Sequence, residues 1–408
     1  MSAQPRQQLP RGFWWLWAST LVNRAGLFVL PFLTLYLTVE RGYSATTAGV
    51  MVALYSLGGI LGSLAGGSLT DRWGRRPTML TGQLGAAAFT LGLGFAEHLA
   101  MIALLMTALG VTLKMSQPAM GAMLADIVPA EARPRAYSLN YWALNLGFSV
   151  SALSAGALAT FGYVTLYVVD AATTLLCALL VFLKLPETRP EKPPATARAP
   201  EAPRASMATV LRDRRFMCLV GLNLLVVMVF TQRHVALPLS TAEAGLSTTE
   251  YGTVAAVNGV MIVTLQLLVT RYTRIRLAHR VLGAGALLVG ASAVLNATAD
   301  TLLLFCLAAV VYTLSEIVYV PTSEAQVPAM APAHARGRYE GVMVLSWSVG
   351  GFVAPLTSGV VIDAYGTDAL WAVCTVFGVL AALGYVALFR TRAPRDTAPP
   401  PVRTVPQE

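Results

Sequence analysis

Apolar runs of roughly 18 residues or more alternate with short polar turns along the whole chain. As a helix, each run is long enough to cross a ~30 Å hydrocarbon layer. The pattern predicts spans at 13–38, 45–69, 77–96, 99–124, 137–160, 163–185, 216–239, 247–270, 280–298, 301–325, 340–362 and 367–389. Lipid offers the backbone no hydrogen-bond partner, so each span is predicted to be helical. The expected fold class is an all-α membrane protein with twelve transmembrane helices.

The polar positions orient these helices. Lys and Arg concentrate in cytoplasmic turns. With the N-terminus inside, the even-numbered turns hold Arg72, Arg75 and Arg76, then Arg133 and Arg135, then Arg271, Arg274, Arg276 and Arg280, then Arg336 and Arg338. The opposite turns carry Glu40, Glu97, Glu243, Glu250, Asp300 and Asp368, with Arg41 as their one clear base. Both termini are therefore expected in the cytoplasm. The net charge of +9 reads as topology, and no nucleic-acid partner is expected. Charged residues make up only 12% of the chain, about half the share in a soluble domain, so most of the surface must face lipid.

Organisation follows from the breaks in the apolar rhythm. Residues 1–12 form a cytoplasmic tail and 13–185 a six-helix bundle. A linker rich in Pro, Ala and charge occupies 186–213, a second bundle 214–390, and a disordered tail 391–408. One offset of 203 residues relates the bundles. It carries Gly42, Ser44 and Gly49 onto Gly245, Ser247 and Gly252, and Pro118, Pro129, Arg133 and Arg135 onto Pro321, Pro332, Arg336 and Arg338. Gly147 and Gly156 land on Gly350 and Gly359. Two parallel repeats about an axis along the membrane normal place a substrate between the halves near mid-membrane.

Several classes fall away. Cys177, Cys218, Cys306 and Cys374 lie in or beside different spans without metal-ligand spacing, so neither a metal nor a disulfide framework is expected. The first span reads as a retained helix rather than a signal peptide. With no Gly-x4-Gly-Lys-Ser/Thr loop and no catalytic constellation, neither an enzyme nor a cofactor is expected.

The turn between spans two and three reads Gly67-Ser-Leu-Thr-Asp71-Arg72-Trp-Gly74-Arg75-Arg76. It resembles, at full spacing, the G-x-L-x-D-R-x-G-R-R/K signature of the major facilitator superfamily. The resemblance covers roughly residues 13 to 390. It implies that these residues, with Asp126 as a second acid, latch the cytoplasmic side when the transporter opens outward. The offset puts Thr270, Arg274 and Leu277 where Gly67, Asp71 and Gly74 stand, so the second-half motif is degenerate. In span four, Leu113-Lys114-Met-Ser-Gln117-Pro118 is similar to a motif of drug:proton antiporters, with Lys for Arg and Pro for Gly. Span five has Gly147-x3-Ser151-Ala152-x2-Ala155-Gly156 in place of the antiporter G-x3-G-P-x2-G-G, whereas span eleven keeps the proline in Gly350-x3-Ala354-Pro355-x2-Ser358-Gly359.

A mid-span charge costs about 2.5–3.5 kcal/mol on insertion scales, so each asks for a reason. Arg24, Lys114, Arg233 and Glu316 fall in spans one, four, seven and ten, the cavity-lining spans that the resemblance implies, and Asp170 falls in span six. The offset sets Glu316 opposite position 113, so a Lys114–Glu316 pair across the cavity is expected. Glu316 is the candidate coupling carboxylate, with Lys114 and Arg24 modulating it; Asp170 and His234 are further proton-coupling candidates. A static buried salt bridge is the alternative. Polar and aromatic candidates for the pocket are Asn23, Tyr55, Asn140, Tyr141, Asn145, Asn258, Tyr312 and Trp347.

The resemblance implies a proton-coupled exporter of small amphiphilic organic molecules, working as a monomer by alternating access in a bacterial inner membrane. Its partners are the substrate, protons and the lipid bilayer. The alternative is a symporter importing a nutrient or an anionic metabolite, suggested by the missing span-five proline and the excess of intramembrane bases. A third reading is a membrane sensor that kept the fold without transporting.

Overall fold

The computed structural model describes residues 9–189, 207–272, 278–332 and 335–390, and every regular element among them is helical. Each predicted span has a helical counterpart. Span one comprises Arg11–Ala25, Val29–Leu35 and a π-helical turn Tyr36–Glu40. Spans two to six are Ala45–Arg72, Arg75–Gly94, Leu99–Ile127, Arg133–Ala159 and Tyr163–Lys184. Span seven runs through Arg214–Phe230, a 3-10 turn Thr231–His234 and Ala236–Glu243. Spans eight to ten are Thr248–Tyr272, Ala278–Ala297 and Leu302–Met330. Spans eleven and twelve share one helical stretch, Arg336–Arg390, interrupted at Gly366, whose φ is 83°.

Among the described residues, eight helices are long and apolar enough to cross a membrane, counting that last stretch once. Span one misses that standard because a break divides it. Span three misses it because threonines, glycines and Gln83 dilute its apolar run, and span eight, Thr248–Tyr272, falls short as well. The expected linker is partly helical, since Met207–Arg212 forms a turn that buries Val210. The expectations placed on Arg274, Arg276 and Leu277, on 190–206 and on the tails 1–8 and 391–408 lie outside the described residues.

The breaks in spans one and seven leave polar backbone groups that lipid cannot serve, and side chains serve them instead. Pro31 has no N–H for the Leu27 carbonyl, and Ser151 of span five donates to that oxygen at 2.7 Å. Pro238 likewise strands the His234 carbonyl, to which Thr34 donates at 2.6 Å. The N–H groups of Phe28 and Val29, freed at the start of Val29–Leu35, donate to the Asp170 carboxylate at 3.0 and 3.3 Å. Asp170 therefore staples span six to the break in span one.

The two bundles meet along two seams, spans two with eleven and spans five with eight. Small residues let the backbones close there, as they do wherever membrane helices pack tightly.

Candidate functional site

Span two starts at the end opposite Arg72, Arg75, Arg76 and Arg133; we term these the far end and the basic end. At the far end the seams are shut. A Cβ on Gly49 would run into the Pro355 carbonyl, and one on Gly359 would lie 2.5 Å from the Ala45 oxygen. On the other seam a Cβ on Gly252 would lie 2.5 Å from the Ala152 oxygen, and Thr249 donates to the Gly156 carbonyl at 3.1 Å. Asp363 of span eleven adds a lock. Its two oxygens accept the N–H groups of Ala45 and Thr46 at 3.0 and 2.8 Å. A carboxylate there also meets the positive end of the span-two helix dipole.

A cavity begins where these contacts stop. It is lined from Val52 to Ser63 on span two and from Val344 to Gly351 on span eleven, so it extends toward the basic end. It encloses about 1520 Å³ of empty space, its open mouth included. The first half contributes Arg24, Tyr55, Lys114 and Gln117; the second contributes Phe230, Arg233, His234 and Trp347. One chamber in the first half adds Asn23 and Gln83, and another in the second adds Tyr251, Asn258 and Tyr312. Asn140, Tyr141 and Asn145 line a separate cleft between spans five and eight, with Glu324.

Glu316 sits behind Arg233. One carboxylate oxygen lies 3.8 Å from the Arg233 Nη1, and the other accepts from the Asn258 amide at 2.7 Å. The same amide donates to Thr313 at 3.1 Å. Symmetry suggested Lys114 as the partner, but the 3-10 turn in span seven brings Arg233 to span ten first. Among the described residues no carboxylate pairs with Lys114 or Arg24. Arg233 Nε donates to the neighbouring His234 Nε2 at 3.2 Å, and the Tyr312 hydroxyl reaches the Phe230 carbonyl at 3.3 Å. The Phe230 and Trp347 rings lie parallel within 9°, their centroids 6.3 Å apart.

The signature turn is ordered around an acid that the sequence reading passed over. Glu187 accepts the N–H groups of Arg75 and Arg76 at 2.9 and 3.0 Å and so caps span three. Arg75 Nε pairs with Asp126 at 2.9 Å, and Thr188 donates to the same carboxylate oxygen at 3.0 Å. Arg76 reaches the Phe182 carbonyl and lies 4.9 Å over that ring. Gly67 has open space around it, while Asp71 and Arg72 stand exposed. Gly74 has φ 112°, and a Cβ there would lie 2.5 Å from the Glu187 carboxylate. Gly74→Ala is expected to cost about 1–3 kcal/mol from backbone strain alone, since φ 112° with ψ 171° is a region essentially reserved for glycine. Its melting temperature in detergent should fall below that of Gly121→Ala, whose position is open; equal melting would contradict the Glu187 cap.

Asp363 was also missed, although a signal exists. Ser247 and Glu250 form a reciprocal cap at span eight, with Ser247 N–H to Glu250 Oε2 at 2.8 Å and Glu250 N–H to Ser247 Oγ at 3.3 Å. At the offset position Ser44 is followed by Thr47, not an acid. The missing carboxylate arrives from the other half as Asp363.

The Major Facilitator Superfamily profile matches residues 16–232 and 234–407. The multidrug resistance protein MdtH of Escherichia coli (strain K12 / DH10B) is 25% identical over 389 residues, 92% of this chain and 94% of that one. The MFS-type transporter YhjO of Bacillus subtilis (strain 168) is 25% identical over 358 residues, 87% of this chain and 88% of that one. A solved structure of the nucleoside transporter NupG superposes with a TM-score of 0.76 at 12% identity, covering 92% of this chain and 99% of that one. With this cavity between two six-helix bundles and a profile match across both of them, the chain is a multi-pass membrane protein that belongs to the major facilitator superfamily.

Proposed function

We propose that this chain is a proton-coupled secondary transporter that exports small amphiphilic organic molecules from the bacterial cytoplasm by alternating access. The observation that carries this is the cavity walled by both halves, shut at the far end and open at the basic end, with the Glu316–Arg233 pair in its wall. The Lys and Arg excess supports a cytoplasmic basic end, and on that reading this is the inward-open form. Opening outward parts the two far-end seams and closes the basic end, where Asp71 and Arg72 are free to engage.

Glu316 is the proton carrier in this scheme. Ionised, it holds Arg233 and Asn258; protonated, it releases the guanidinium and changes the charge of the cavity wall. Arg24 and Lys114 set the field in which that exchange happens. Asp170 and His234 hold the broken helices. The likeness to MdtH, described as a multidrug resistance protein, supports export.

The test is transport in proteoliposomes with an imposed pH gradient and a luminal pH dye, using lipophilic cations, neutral drugs, organic anions and peptides. Proton movement opposite to a substrate is the expected outcome. Movement in the same direction would make the protein a symporter, and no transport of any compound would end the proposal.

A further inference from the structure

We propose that the cavity selects amphiphilic organic anions, seating the acidic group on Arg24 and Lys114 and the apolar body against Phe230 and Trp347. This rests on the transport function proposed above and names its substrate class.

The two walls of the cavity differ in chemistry. Arg24 and Lys114 both line the first-half wall, beside the neutral hydrogen-bonding groups of Tyr55 and Gln117. Charges at membrane depth persist only where a partner or a polar cavity supports them. Arg233 has such a partner in Glu316, whereas no carboxylate among the described residues pairs with Arg24 or Lys114. Their seats are built into the backbone. A Cβ on Gly147 would lie 2.5 Å from the Arg24 Cβ, and one on Gly59 would lie 3.1 Å from the Lys114 Cγ. The Arg24 stem therefore occupies room that only glycine leaves, and the Lys114 stem lies close over Gly59.

The facing wall carries an apolar patch, the parallel rings of Phe230 and Trp347 with Val227 and Val344, beside His234 and an Arg233 already paired with Glu316. A cation placed between these walls meets repulsion from two bases. A neutral molecule leaves both bases without a counter-charge. An anion with an aromatic or aliphatic body satisfies both walls, through charge-assisted hydrogen bonds on one side and area burial on the other.

Three ligands with one body test this: naphthalene carboxylate, its neutral carboxamide and the matching aminomethyl cation. Binding is followed by tryptophan fluorescence on purified protein in nanodiscs. The carboxylate should bind about tenfold tighter than the amide or better, as expected for hydrogen bonds between charged groups. Arg24→Gln and Lys114→Gln should each reduce the preference for carboxylate over amide, while Lys114→Arg should keep it. Equal affinity for carboxylate and amide in the wild type, preference for the cation, or no binding at all would overturn the proposal; these comparisons need no variant to fold. Proteoliposome transport separates the two proposals. If the carboxylate binds preferentially but nothing is moved, the transport function fails and the anion site stands. If lipophilic cations are moved while the carboxylate binds no better than the amide, the anion site fails and transport stands.

Discussion

Glu316→Gln is expected to abolish proton movement while leaving substrate exchange across the membrane in place. The amide is nearly the size of the carboxylate and still accepts from Asn258, which now holds at 2.7 Å. What disappears is the charge facing Arg233 at 3.8 Å. Breaking an exposed ion pair costs about 0–1 kcal/mol, and removing one partner of a buried pair costs about 3–5 kcal/mol. The Glu316 side chain is 19% exposed and Arg233 38%, so a loss of about 1–3 kcal/mol is expected between those limits, and the variant should remain folded. Uptake driven by a pH gradient should fall by about a hundredfold, the size of effect that losing an essential proton-transfer group produces. Exchange of labelled for unlabelled substrate needs no proton, and it should persist. An unchanged dye signal in the variant would remove Glu316 from the coupling pathway. Loss of exchange together with coupling would instead make it a binding residue.

The second large effect is conformational. Gly49→Leu is expected to hold the far end open and stop the cycle. Any side chain there collides with the Pro355 carbonyl across the seam, and backbone that is part of a helix cannot yield as a flexible side chain does. The packing of the first half is spared, because span two meets span four through other glycines, Gly58, Gly62 and Gly66. Transport should fall more than about tenfold, the factor that each 1.4 kcal/mol bias against the closed form produces. A cysteine placed at Ser56, which lines the cavity, should become reactive to an impermeant maleimide from the far side, in a background lacking the four native cysteines. Gly221→Leu, at a position with open space around it, is the control. Normal transport by Gly49→Leu would mean that this seam never needs to close.

Much of the architecture was legible in the chain because hydropathy is a local property. Spans two, four and six were placed within three residues at each boundary. The internal offset recurs at the seams, since Gly49 and Gly252, and Gly156 and Gly359, are related by it and all four sit at far-end crossings. The site was less legible. Arg24, Tyr55, Lys114, Arg233 and Trp347, picked out as mid-span charges and polar or aromatic residues, do share one cavity, but the offset gave Glu316 a different neighbour from the one it has. The offset compares spans four and ten, both unbroken, and says nothing of span seven, whose 3-10 turn sets Arg233 beside Glu316. Asn140, Tyr141 and Asn145 face a side cleft because a helix has several faces and composition does not say which one points inward. Asp170 was legible as a buried acid and candidate proton site, but not as a staple for a broken helix. Its carboxylate is occupied by two backbone N–H groups, a need created by a break in another helix 142 residues away.

Asp363 has a consequence for how this family member can change over time. The lock joins a side chain on one half to main-chain N–H groups on the other. Only one side of it is therefore written in the genetic code as a particular residue. Positions 45 and 46 can drift to any amino acid that keeps its N–H, so mutation there is nearly silent for the lock unless proline appears. Loss at position 363 has no matching remedy, because no substitution at 45 or 46 can strengthen a donor that every residue already supplies. Revertants of an Asp363 defect would have to arise elsewhere on the seams, and the far-end closure is fragile at one codon and robust at the two it touches.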